Sequence, residues 1–260
     1  MHAMRGSGQA LVSSLTDVAR NWWNRSFIPN PRYIPFGSQP FTFPFDRLTP
    51  PRCRHVTVIC VCRMARPQRK YTLDDYFTIE GVSEIKHEFY NGEIFAMAGA
   101  SAAHNEITAN LLSRLRLALR RHGCRAYGSD LRVQTPAGLY TYPDVSVFCG
   151  ALMLAAGRDD TAANPVFLVE VLSEATRDYD RGDKFTLYKS IPTLREYLLV
   201  EQSVVRVEQR VRRRGARWTA AVYERLDDVV RLASIPLTLR VAEMYREVFP
   251  KPRAPITARH

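Results

Sequence analysis

Three charged residues stand where the surrounding pattern is apolar. Val166 to Leu172 carries hydrophobic side chains at alternate positions on both faces, interrupted by Glu170. A run apolar on both sides reads as a central strand covered by other layers. A carboxylate buried there without a partner costs several kcal/mol or takes up a proton, so Glu170 calls for a cation. Asp144 follows Pro143 and opens a second apolar run, Val145 to Phe148; proline suits a strand start. Lys184 lies further on, in register with Leu187, Tyr188 and Ile191. On a helix these fall at i, i+3, i+4 and i+7, so the lysine shares the core-facing stripe. It either snorkels or reaches a buried anion. Two acids and a lysine at strand ends suit metal-assisted phosphodiester hydrolysis. Mg²⁺ takes one or two carboxylates and keeps waters for a phosphate. The bound ion acidifies a water and offsets charge on the phosphate, while an ammonium orients or helps deprotonate that water. A buried Asp–Lys–Glu ion cluster with a purely structural role fits the same residues.

The elements that must position these groups follow from local signals. Asp180 and Asp183 resemble an N-cap and its capping-box partner, which predicts a helix from there to near Pro192. Thr72 and Asp75 predict a short helix over Leu73 to Glu80. Asn91-Gly92 predicts a hairpin between Lys86–Tyr90 and Glu93–Met97. Glu88 and Glu93 ride on that hairpin; each reads as a solvated strand residue, and Glu88 also as a third metal-side acid. Ser101 caps a long helix to about His122, with Ile107, Leu111, Leu115, Ala118 and Leu119 as its apolar stripe. His104 lies in its first turn, where a structural role and a place at the site are both open. Arg114, Arg116, Arg120 and Arg121 read as a solvated face. Strands are expected at Arg125–Ser129, Leu131–Gln134, Asp144–Cys149, Arg195–Val200, Ser203–Val211 and Trp218–Glu224. The last two flank Arg212-Arg213-Arg214-Gly215, either a solvated tip or a phosphate contact. Ala151 to Asn164 reads as a surface excursion, and Val241 to Phe249 as a closing helix.

The net charge of +11 over 260 residues favours a polyanionic partner. Residues 1–63 hold eight arginines against two aspartates, no lysine or glutamate, and seven of the 16 prolines. That composition fits a disordered nucleic-acid-binding arm, a transit sequence, or upstream sequence preceding a start at Met64, the reading preferred here. The expected organisation is a disordered or spurious extension over 1–63, a nuclease-like domain over 64–250 and a loose tail over 251–260. Cys53, Cys60, Cys62, Cys124 and Cys149 have no zinc-like spacing and read as free thiols of a reducing cytoplasm. No apolar stretch is long enough to span a membrane.

Taken in order, Tyr71-Thr-Leu-Asp-Asp-Tyr76, Glu88-x-x-Asn91-Gly92-Glu93, Ser101-x-x-His104, Pro143-Asp144-Val145, Val169-Glu170-Val171-Leu172-Ser173, Asp180-x-x-Asp183-Lys184 and Glu196-Tyr197 closely resemble the Uma2 family. These are endonuclease-like proteins of the PD-(D/E)XK superfamily. The resemblance covers Tyr71 to Phe249 and rests on the order of the motifs, no one of which is specific. It implies an α/β fold of the restriction-endonuclease-like kind: a mixed β-sheet flanked by helices, here with an added C-terminal β-hairpin. It also implies Asp144 and Glu170 as metal ligands for Mg²⁺ or Mn²⁺, and Glu88 as an accessory acid. The superfamily's lysine usually lies two residues after the second acid; that position is Leu172, and in Uma2 proteins the role passes to the following helix, at Lys184. The family's Ser-Pro-Ser-Thr is Ser173-Glu174-Ala175-Thr176 here, and its tryptophan after Glu-Tyr is Leu198; neither is a proposed ligand. The function implied is a metal-dependent endonuclease acting on DNA, with a homodimer as one way to cut two strands. The competing reading is a non-catalytic nucleic-acid- or protein-binding module on the same fold.

Overall fold

The computed structural model describes residues 70–249. Expectations for residues 1–63 and the tail, including Cys53, Cys60 and Cys62, fall outside the described residues. In chain order the elements are α1 (Leu73–Glu80), β1 (His87–Tyr90), β2 (Glu93–Ala96), α2 (Ala102–Leu119), β3 (Cys124–Gly128), β4 (Arg132–Gln134), β5 (Tyr140–Thr141), β6 (Val145–Cys149), β7 (Thr161–Ala162), β8 (Phe167–Leu172), α3 (Arg177–Arg181), α4 (Asp183–Tyr188), β9 (Glu196–Glu201), β10 (Val207–Arg212), β11 (Trp218–Tyr223), β12 (Val229–Arg231), β13 (Thr238–Arg240) and α5 (Val241–Met244).

Local chemistry sets the ends. The Thr72 hydroxyl accepts the Asp75 N–H at 3.1 Å while the Asp75 carboxylate accepts the Thr72 N–H at 2.9 Å, closing the capping box that starts α1. Ser101 caps α2 through the His104 N–H at 3.1 Å. Asn91 and Gly92 sit at φ 50° and 81°, as the two-residue turn joining β1 to β2 requires. A Cβ on Gly92 would also meet Lys70 Cβ at 2.9 Å.

A six-stranded sheet runs β11-β10-β9-β8-β6-β3, and a five-stranded sheet runs β2-β1-β5-β4-β7. In the larger sheet β8 pairs parallel with β9 and antiparallel with β6. β8 is therefore interior, and all six of its residues are buried. Its odd-numbered side chains, Phe167, Val169 and Val171, meet Ile107, Leu111, Leu115 and Leu119 of α2. Its even-numbered ones, Leu168 and Leu172, meet Phe185, Leu187 and Tyr188 of α4 and Val133 of the smaller sheet. Glu170 falls on this second face by strand alternation. The expected hairpin of β10 and β11 extends the larger sheet, with an exposed tip at Arg213 to Arg217. Arg114 on α2 pairs with Glu243 at 3.2 Å, so one of the four helix arginines is committed to α5. Among the described residues no helix is long and apolar enough to cross a membrane.

Four expectations need correction. Cys124 and Cys149 are not free thiols: they face each other in the β3–β6 register, 4.0 Å apart at Cα, and form a disulfide. The excursion over 151–164 is not all surface, because Thr161 and Ala162 are buried and pair parallel with β4. The helix expected from Asp180 is two helices, broken at Gly182 (φ −103°, ψ −93°), with Asp180 inside the first rather than capping the second. The closing helix α5 is one short turn, Val241–Met244, rather than reaching Phe249.

Candidate active site

Four separated segments converge on the α4 side of β8. The Lys184 ammonium is buried at the start of α4, as the stripe with Leu187, Tyr188 and Ile191 requires. Its Nζ lies 2.9 Å from Glu170 Oε1 on β8, 2.9 Å from Glu88 Oε1 on β1, and 3.5 Å from Asp180 Oδ1 on α3. An ammonium has three N–H donors, and three carboxylates surround it. The Tyr188 hydroxyl donates to Glu170 Oε1 at 2.7 Å, and the Thr141 hydroxyl on β5 donates to Glu88 Oε1.

Asp144 stands just before β6. Its Oδ2 accepts the Val171 N–H at 2.7 Å, one residue past Glu170. His104 Nε2 lies 3.2 Å from the same oxygen. The charge of Asp144 acts on both Glu170 and Asp180. The structure thus brings together Asp144, Glu170, Glu88 and Lys184. His104 is there as well, whereas Glu93 sits exposed at the start of β2.

Negative charge exceeds positive in this pocket. Burial, reinforced by the like charges of Asp180 and Asp144, pushes the Glu170 carboxyl up to about 8 despite Lys184. Burial likewise raises Asp180. Burial alone would depress the Lys184 ammonium, but Glu170 and Glu88 outweigh it and raise it well above the ordinary lysine value. Burial also opposes the charged form of His104, and the bond to Asp144 more than compensates, so that imidazole is raised. One lysine cannot neutralise so many acids at close range, and the Glu170 and Asp180 carboxyls are pushed toward their protonated forms.

Asp180, Tyr188 and Thr141 were not expected at the site. Asp180 precedes Lys184 by four positions, a spacing that pairs charges on a helix; capping grammar claimed the residue instead. The stripe that buries Tyr188 gives no partner for its hydroxyl. Thr141 lies on a two-residue strand with no periodicity to detect.

The donors at the pocket are carboxylate oxygens, a hard set that suits Mg²⁺ or Mn²⁺. Among the described residues no three His, Cys, Asp or Glu side chains are grouped to hold a metal ion unaided. Mg²⁺ does not need such a cage, since one or two carboxylates with water and phosphate suffice.

Comparison with known proteins agrees with the motif order. The Uma2 family model, described as "Putative restriction endonuclease", matches residues 73–242, which include every residue of the pocket. An uncharacterised Synechocystis sp. protein, slr1290, is 35% identical over 185 residues, covering 69% of this chain and 94% of that relative. A second from the same organism, sll1609, is 37% identical over 138 residues, covering 53% of this chain and 78% of its own length. A crystal structure of "a putative nuclease belonging to DUF820" from Anabaena variabilis superimposes with a TM-score of 0.58. It covers 68% of this chain and 99% of that one at 18% identity, a likeness of fold. With a mixed α/β architecture and a family match across most of the described residues, the chain belongs to the Uma2 family and has a restriction-endonuclease-like fold.

Proposed function

We propose that this protein is a metal-dependent endonuclease that hydrolyses DNA phosphodiester bonds, using Mg²⁺ or Mn²⁺ held by Asp144 and Glu170. The supporting observation is the gathering of Glu170, Glu88 and Asp180 around one ammonium, with Asp144 bonded one residue past Glu170, an acid excess that a divalent cation would offset. When bound, such an ion supplies an acidified water and stabilises charge on the phosphate. Asp144 is held through Oδ2 by the Val171 N–H, which ties its carboxylate to the backbone next to Glu170. Glu170 is anchored by Tyr188 through Oε1, the oxygen that also faces Lys184. Glu88 and Asp180 keep the ammonium charged and in place. Lys184 can point an N–H at water or at a phosphate oxygen only when one of its three carboxylates yields. The net charge of +11, of which residues 64–260 carry +5 (+11 less the +6 of residues 1–63), supports a nucleic-acid substrate.

Purified protein should nick supercoiled plasmid with Mg²⁺ or Mn²⁺, and Asp144→Ala or Glu170→Ala should abolish nicking. Cleavage that survives both substitutions overturns the assignment. The saturation of Lys184 by carboxylates favours a second reading, a binding module whose ion cluster is structural. Salt-sensitive DNA binding without cleavage under any metal would select it.

A further inference from the structure

We infer that His104 is a positioning residue for the metal site: its imidazole N–H, with the Val171 amide, locks Asp144 so that one carboxylate oxygen stays open to the ion. The inference rests on the metal-dependent reading above. Both donors fall on the same atom, Oδ2, at 3.2 Å from Nε2 and 2.7 Å from the amide. With the ring proton assigned to Nε2, the imidazole donates and the carboxylate oxygen accepts. Two donors on one oxygen stop the carboxylate rotating about its own axis and leave Oδ1 for a ligand.

The histidine is itself held. It sits in the first turn of α2, where its amide is capped by the Ser101 hydroxyl at 3.1 Å. That same hydroxyl bonds to Gln202, just past the end of β9. Four turns of α2 then bury Ile107, Leu111, Leu115 and Leu119 against the larger sheet. The ring is therefore carried by an 18-residue helix docked along its length rather than by a loop. Groups that donate to metal-binding carboxylates and imidazoles orient them, and their removal commonly costs 10–100-fold in metal affinity.

The test is Mn²⁺ binding by titration calorimetry on the full chain. His104→Phe keeps a ring but no donor, and should weaken the dissociation constant about 10–100-fold. His104→Gln places an amide N–H near the Nε2 position and should recover most of that loss. If the phenylalanine variant does not fold by circular dichroism, His104→Leu, which also has no donor, replaces it with the same expectation. Wild-type affinity in the variant lacking a donor overturns the inference and leaves the metal reading intact. An equal loss in His104→Gln also overturns it, because ring shape rather than the donor would then matter. No Mn²⁺ binding by the wild type removes the metal reading, and this inference with it.

Discussion

Glu170→Gln tests the electrostatics of the pocket directly. The substitution keeps shape, and its amide oxygen can still accept from Tyr188 and Lys184. It deletes the charge that burial and neighbouring acids disfavour. The wild-type carboxyl titrates at about 8 in the folded protein against an ordinary value of 4.5. At about 1.4 kcal/mol per pKa unit, that interval corresponds to ~5 kcal/mol as an upper figure. The sign follows from proton counting. Between pH 4.5 and 8 the folded chain keeps a proton that the unfolded chain has released. The associated stability is therefore full below about pH 4.5 and lost as pH rises through about 8. Urea denaturation from pH 5 to 9 in the presence of EDTA should show wild-type stability falling with pH by up to about 1.4 kcal/mol per pH unit. Glu170→Gln should reduce that slope to what Asp180 and His104 contribute and be the more stable protein at pH 8 and above. A variant with the wild-type slope would refute the claim that Glu170 is the residue holding the extra proton. The same variant should lose plasmid nicking, so stability and activity should move in opposite directions.

Two further outcomes follow from side chains described above. Lys184→Met leaves Glu88, Glu170 and Asp180 without their shared ammonium and should cost about 3–5 kcal/mol, read by chemical denaturation at pH 8; adding Glu170→Gln to it should recover part of the loss, and strict additivity of the two would mean the groups do not interact. Cys124→Ser with Cys149→Ser should lower stability by about 2–4 kcal/mol relative to the oxidised protein, and a thiol reductant should bring the wild type down to the same value.

Much of the positioning framework was written in short-range signals. Thr72 with Asp75, Asn91 with Gly92, and Ser101 each named an element end because the satisfying partner lies within three residues. Glu170 betrayed itself by breaking an otherwise apolar strand, and Lys184 by occupying the buried stripe of its helix. What escaped detection depends on contacts remote in sequence. Cys124 and Cys149 are 25 positions apart, and their opposition is a property of strand register, which spacing does not encode. β5 and β7 have two residues each, too few for an alternation to show. Asp180 is ambiguous in sequence because an aspartate before a helix satisfies capping rules and ion-pair spacing equally well, and only the break at Gly182 decides between them. The pairing of Glu88 with Lys184 needed the two sheets to meet, which no window of sequence describes.

That meeting of sheets has a mechanical consequence. Glu88 belongs to the smaller sheet, whereas Glu170 and the helix bearing Lys184 belong to the larger sheet and its cover. The ammonium works as a rivet through two plates. Sliding one plate by a single residue, ~3.3 Å along a strand, would carry Glu88 out of reach while every strand kept its own ladder intact. The pocket is thus a gauge of how the plates are stacked, and its competence is set by the alignment of whole layers rather than by any one strand.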